Sequence, residues 1–222
     1  MGLSRKMQRV SEHWAAVDDA LPPESPLVLL REVDRQSFEE LMEGLTGLRN
    51  AVTGRELRVR LARSVYERRK AIVHRWLRRI RGWMRGTMQG TDWMDLAQPV
   101  PGRGESYQHW WAAGTDALGM WEVMGENPPP SPVDWPLDMP DRGTAALFAE
   151  AMKEMETAFW AIRRMEVKLR IARSRLWRAQ ERATALLMAY GHGVRAWLEQ
   201  TDALVRSIPE LWPKHQRRKK AA

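Results

Sequence analysis

"RELRVRLARS" (residues 55–64) and "MEVKLRIARS" (residues 165–174) are two versions of one decapeptide, 110 residues apart. The same offset continues on both sides without a gap, from Phe38 opposite Phe148 to Pro99 opposite Pro209. Along it 15 of the 62 aligned pairs are identical, among them Glu56 with Glu166, Arg60 with Arg170, Arg68 with Arg178 and Thr91-Asp92 with Thr201-Asp202. Self-similarity at a fixed spacing marks a duplicated structural unit. Upstream, "WAAVDDAL" (14–21) matches "WAAGTDAL" (111–118) at six of eight positions, and each is followed by a proline-rich break, "PPESP" or "PPPSP". The chain reads as a tandem duplication in which each copy is a short helix, a proline-rich loop and a long helix.

Hydrophobic spacing supports that reading. In the first short helix Leu3, Met7, Val10, Trp14, Val17 and Leu21 recur at steps of four and three, one stripe of a helix surface. The first long helix is predicted to start at a capping box of Ser37 and Glu40. Its stripe runs Phe38, Leu41, Leu45, Leu48, Val52, Val59, Ala62, Tyr66, Val73, Trp76, Ile80, Trp83. The second copy continues through Phe148, Met155, Ile162, Leu169, Leu176, Ala183, Tyr190 and Trp197, with alanine at many alternate seam positions. A seven-residue period held this long predicts helices crossing at shallow angles. Strand-like alternation is absent. The expected fold class is all-α, an elongated coiled-coil-like helical bundle. The expected units are residues 3–101 and 102–213, the second carrying a loop insertion at about 119–143, with a basic tail at 214–222.

With 222 residues and 44% hydrophobic content the chain can bury a sizeable core. It has no cysteine, which excludes disulfides, thiolate nucleophiles and cysteine-based metal sites. Its first residues lack the apolar stretch of a signal peptide, and no apolar run approaches the ~18 residues of a membrane span, so a cytoplasmic location is expected. The formal charge is +8, but it falls to +3 without Lys214, Arg217, Arg218, Lys219 and Lys220 of the tail.

Two kinds of surface follow. Each short helix covers about half of its long partner, so the last half of the second long helix lacks a cover from its own chain. Leu176, Ala183, Leu186, Tyr190 and Trp197 are the candidate self-association surface, unless "TDALVRSIPELWP" folds back over them. The second surface is basic. Arg75, Arg78, Arg79, Arg81 and Arg85 cluster near the end of the first long helix beside Trp76 and Trp83, and the tail adds five cations. Arginine beside aromatics suits phosphate contact and base stacking, although both tryptophans fall on the core seam.

For catalysis, cofactors and metals the sequence offers no candidate residues. His13, His74, His109, His192 and His215 form neither an HExxH nor a Glu-x-x-His pair, and no phosphate-binding glycine loop or nucleophile elbow is present. No small-molecule substrate is evident. "HWAAVDDALPPE" followed by a capped long helix and a closing "LWP" resembles uncharacterised tandem helical-hairpin proteins of bacteria; the resemblance implies a two-repeat all-α fold and no activity. The expected function is a non-enzymatic structural or assembly protein that forms homo-oligomers, with nucleic-acid association through the tail and arginine faces as the alternative.

Overall fold

The computed structural model describes residues 2–22, 26–29, 33–87, 99–126, 143–198 and 202–209. They form an all-α bundle of five helices: α1 (Leu3–Ala20), α2 (Arg35–Thr87), α3 (Tyr107–Glu126), α4 (Ala145–Trp197) and a single turn, α5 (Ala203–Arg206). No strand occurs among the described residues; Leu29 and Val33 make an isolated antiparallel bridge.

The two long helices have the same length, 53 residues, and both of their ends sit at the 110-residue offset. Their starts also correspond. The Asp34 carboxylate accepts from the Ser37 backbone N–H at 2.8 Å, and the Thr144 hydroxyl accepts from Leu147 N–H at 3.3 Å. The cap of α2 is therefore Asp34 and not the expected Ser37. A carboxylate is the better acceptor for the orphan N–H groups of a first turn, and those bonds hold Asp34 below its usual pKa. Neither Gly44, Gly47 and Gly54 in α2 nor Gly191 and Gly193 in α4 interrupts its helix.

The chain divides into two compact units, and they are not the two repeats. One unit is Met1–Gly54 with Arg170–Ala222; the other is Arg55–Leu169. The division falls inside both long helices, at the repeated decapeptides, whereas the sequence placed it at residue 101. The cause is length. A helix of 53 residues outruns an 18- or 20-residue partner, so each short helix shares its coverage between halves of both long helices.

In the first unit Met7, Val10, Trp14 and Val17 of α1 are fully buried. Trp14 lies 5.6 Å from the ring of Phe38 on α2 and 4.8 Å from that of Tyr190 on α4. Leu27, Leu29 and Val33 close the core from the connecting segment. Leu29 crosses directly over α4 at Gly193, where a β-carbon would stand 2.6 Å from the leucine Cδ2. This covers the predicted self-association surface. Ala183 and Tyr190 are fully buried in the chain's own core, Leu176 and Leu186 pack against it, and of the five residues only Trp197 is exposed. α5 adds to the cover: the His13 ring is hydrogen-bonded through Nδ1 to the Tyr190 hydroxyl at 2.6 Å and through Nε2 to the Leu204 carbonyl at 2.9 Å.

In the second unit the later half of α2 runs antiparallel to the first half of α4. Arg63 pairs with Glu166 at 2.7 Å and Arg69 with Glu154 at 2.6 Å, while Trp76 lies 5.7 Å from Phe148. α3 covers both through Trp110, Ala113, Ala117, Trp121 and Met124. It therefore continues to Glu126 through the start of the expected 119–143 loop, because Trp121 and Met124 gain more by burial than Gly119 and Gly125 cost the helix. The remainder of that insertion, 127–142, lies outside the described residues.

α3 docks about one residue out of phase with α1. The aligned partner of the core residue Trp14 is Trp111, which is only partly buried, whereas Trp110, aligned with His13, is 1% exposed. Gly114, at the position of Val17, permits this: the Met152 Sδ and Cε fill the space where a β-carbon would stand, 2.3 and 2.2 Å away.

Candidate anion-binding site

The end of α2 has two chemically distinct faces. Val73, Leu77, Ile80 and Met84 point into the core. At the same steps of three and four, His74, Arg78, Arg81 and Arg85 form an adjoining stripe that extends for about 16 Å along the helix. Cations at this end of a helix also complement the partial negative charge of its last carbonyls.

A second element faces the stripe. Residues 99–106 lead into α3 and are fastened to α2 by Lys70, which is 7% exposed. Its ammonium donates to the Arg103 carbonyl at 2.6 Å and, more weakly, to that of Glu105 at 3.4 Å, and it lies 5.1 Å from the centre of the Trp110 ring. Two carbonyl acceptors and an aromatic face together replace the hydration of a buried ammonium. The fastening brings Arg103 across from the stripe. Between them is an open recess of about 480 Å³, walled by His74, Arg78, Arg81 and Arg85 on one side and by Val100 to Arg103 on the other.

The recess is strongly electropositive. Among the described residues Arg78, Arg81, Arg85 and Arg103 form no ion pair. The Nε of Arg81 is buried and has no hydrogen-bond acceptor. Arg81 also borders a narrow apolar cleft on the far side of Val100, which Asp116 shares without pairing to it. His74 responds to its surroundings: desolvation first, then Arg78 and Arg103, hold its pKa below that of a free imidazole. The Trp110 ring is 5.6 Å from it. This site can hold an anion by charge and by guanidinium N–H donors.

Of the sequence candidates, the structure brings Arg78, Arg81 and Arg85 to this recess. Arg75 is exposed outside it, and Arg79 lies over the Trp76 ring at 5.8 Å. Trp76 and Trp83 are partly buried and pack against the core cluster. Lys214, Arg217, Arg218, Lys219 and Lys220 lie outside the described residues. Sequence reasoning missed His74, Lys70 and Arg103. The stripe spacing of His74 with Arg78 and Arg81 was available as a signal; Arg103, a lone arginine between glycines, had none. Among the described residues no group of His, Asp and Glu is placed to hold a metal ion, and no helix is long and apolar enough to cross a membrane.

Comparison with known protein families, with curated proteins and with solved structures finds no match for this chain.

Proposed function

We propose that this protein is a non-enzymatic helical module that associates with nucleic acid through its phosphates, in the cytoplasm, with the recess at the end of α2 as its contact. The observation that carries the reading is the gathering of Arg78, Arg81, Arg85 and Arg103 around one recess with, among the described residues, no carboxylate paired to any of them. A stripe of arginines only adorning a solvated helix face would not need a fourth brought from another segment. The tail cations, on this reading, add nonspecific affinity.

Counterion release supplies the test. Four phosphate contacts give a slope of log K on log salt of about −2.8 for a single strand and about −3.6 for a duplex. Between 50 and 200 mM salt that is a loss of about fifty- to 150-fold. Substituting Arg78, Arg81 and Arg85 together by Gln should flatten the slope by about two for a single strand and nearly three for a duplex. An unchanged slope would assign the binding to other cations and remove the recess from it.

A second reading, self-association through helix faces, is supported by large apolar side chains that stand outside both cores. Leu57 and Leu61 are 59% and 64% exposed on α2, and their repeat counterparts Val167 and Ile171 are 53% and 49% exposed on α4. Light scattering at low and high salt separates the readings: contacts made by these side chains persist in high salt, and phosphate contacts do not.

A further inference from the structure

The nucleic-acid reading concerns phosphates in general; the recess has features of a more particular site. A phosphodiester within a strand exposes two free oxygens, while a phosphomonoester exposes three and carries up to a second charge. Each guanidinium has five N–H donors in a rigid fork suited to two oxygens at once. Four such forks border the recess from two chain segments, so a bound group can meet more than one of them. The recess, about 480 Å³ and open to solvent, has room for more than a bare ion. Within this wall the buried Nε of Arg81 has no acceptor, and an orphaned N–H on a charged group is costly unless a ligand compensates the charge.

Resting on the nucleic-acid reading above, we infer that the recess formed by His74, Arg78, Arg81, Arg85 and Arg103 takes a phosphomonoester group, presented at the end of a nucleic-acid strand or on a free nucleotide. His74 supplies an internal reporter. Burial, then Arg78 and Arg103, holds its pKa below that of a free imidazole, with Lys70 one turn along α2 and Glu105 on the facing segment. A dianion bound among the arginines opposes that influence, so the imidazole pKa rises when the site fills and binding takes up a fraction of a proton.

The experiment uses the full chain and one fluorescent single strand in two forms, with a 5′-phosphate and with a 5′-hydroxyl, at fixed moderate salt. The phosphorylated strand is expected to bind about tenfold more tightly, the effect of one additional charge-assisted contact. Arg103→Ala should abolish that preference, and should lower the affinity for the hydroxyl strand only as the loss of one of four phosphate contacts does, with the salt slope flattened by less than one. Arg81→Gln should weaken the preference as well. The His74 ring resonance, followed across pH, should move to a higher midpoint with the phosphorylated strand and stay in place with the other.

Equal, salt-sensitive binding of the two strands overturns the inference and leaves the nucleic-acid reading standing. Binding of neither strand while adenosine monophosphate shifts the His74 resonance supports the monoester site and overturns the nucleic-acid reading. Binding of neither strand, with adenosine monophosphate and inorganic phosphate both without effect on His74, overturns both. Displacement of the phosphorylated strand by adenosine monophosphate but not by inorganic phosphate shows that the attached organic group contributes.

Discussion

Replacing Lys70 by Met tests whether one buried ammonium holds the site together. The Lys70 Nζ makes a 2.6 Å bond to the Arg103 carbonyl and sits over Trp110. A charge-assisted hydrogen bond contributes about 1.5–3 kcal/mol, and a partly desolvated cation–π contact about 1 kcal/mol. Against these stands the desolvation of the ammonium, which Met removes while keeping much of the volume. A net destabilisation of about 2 kcal/mol follows, and in a chain of this size that lowers Tm by about 4–8 °C. Thermal denaturation followed by circular dichroism measures it, and hydrogen exchange locates it: protection should fall at residues 103–106 and at the start of α3, not in α1. Binding should change too, since an unfastened Arg103 no longer faces the stripe, so the preference for a 5′-phosphate should shrink as in Arg103→Ala. A Lys70→Met protein as stable as the parent, or more so, would overturn this expectation. It would mean that the desolvation cost exceeds the contacts, as it can when a buried ion is replaced by an apolar side chain of similar size.

Other outcomes are expected from the same physical chemistry. Trp110→Ala should cost about 3–5 kcal/mol in chemical denaturation and Trp111→Ala clearly less, the reverse of what the repeat alignment implies; equal losses would contradict the out-of-phase docking of α3. His13→Ala leaves the fully buried Tyr190 hydroxyl without its partner and should cost about 1–3 kcal/mol, and in the double variant with Tyr190→Phe part of that loss should be recovered, a coupling that a mutant cycle reads directly. Burial, then Glu156 and Tyr66, pushes the Tyr107 hydroxyl up to about 12, and burial with Asp18 pushes Tyr190 up as well. The unfolded chain ionises its tyrosines near pH 10, so these groups' stability is intact below about 10 and declines as pH climbs toward 12. Urea midpoints at stepped pH check it, and Tyr107→Phe should make the decline shallower. Leu57→Ser with Leu61→Ser, both on an exposed face, should change stability by less than about 0.5 kcal/mol per site, and any self-association that they lower in light scattering belongs to that face.

Helices, their stripes and their duplication were all legible in the amino-acid order, because they depend on local spacing. Phe38, Leu45, Val52, Val59, Tyr66, Val73 and Ile80 recur every seven residues and every one is buried, as the period required. The repeat offset also anticipated that α2 and α4 share both length and ends. Local spacing does not state which half of a long helix meets which neighbour. The compact units cut across the repeats, Ala183 and Tyr190 went into the chain's own core and not to a second copy, and α3 turned by a residue about its axis. Each outcome rests on contacts between segments far apart in sequence: Leu29 over Gly193, Met152 into the space at Gly114, and Trp14 between Phe38 and Tyr190. The candidate site divides in the same way. Composition and helical spacing determined that Arg78, Arg81 and Arg85 share a face; only tertiary structure placed Arg103 opposite them, because a buried lysine on α2 finds its hydrogen-bond acceptors in the backbone of a turn more than thirty residues away.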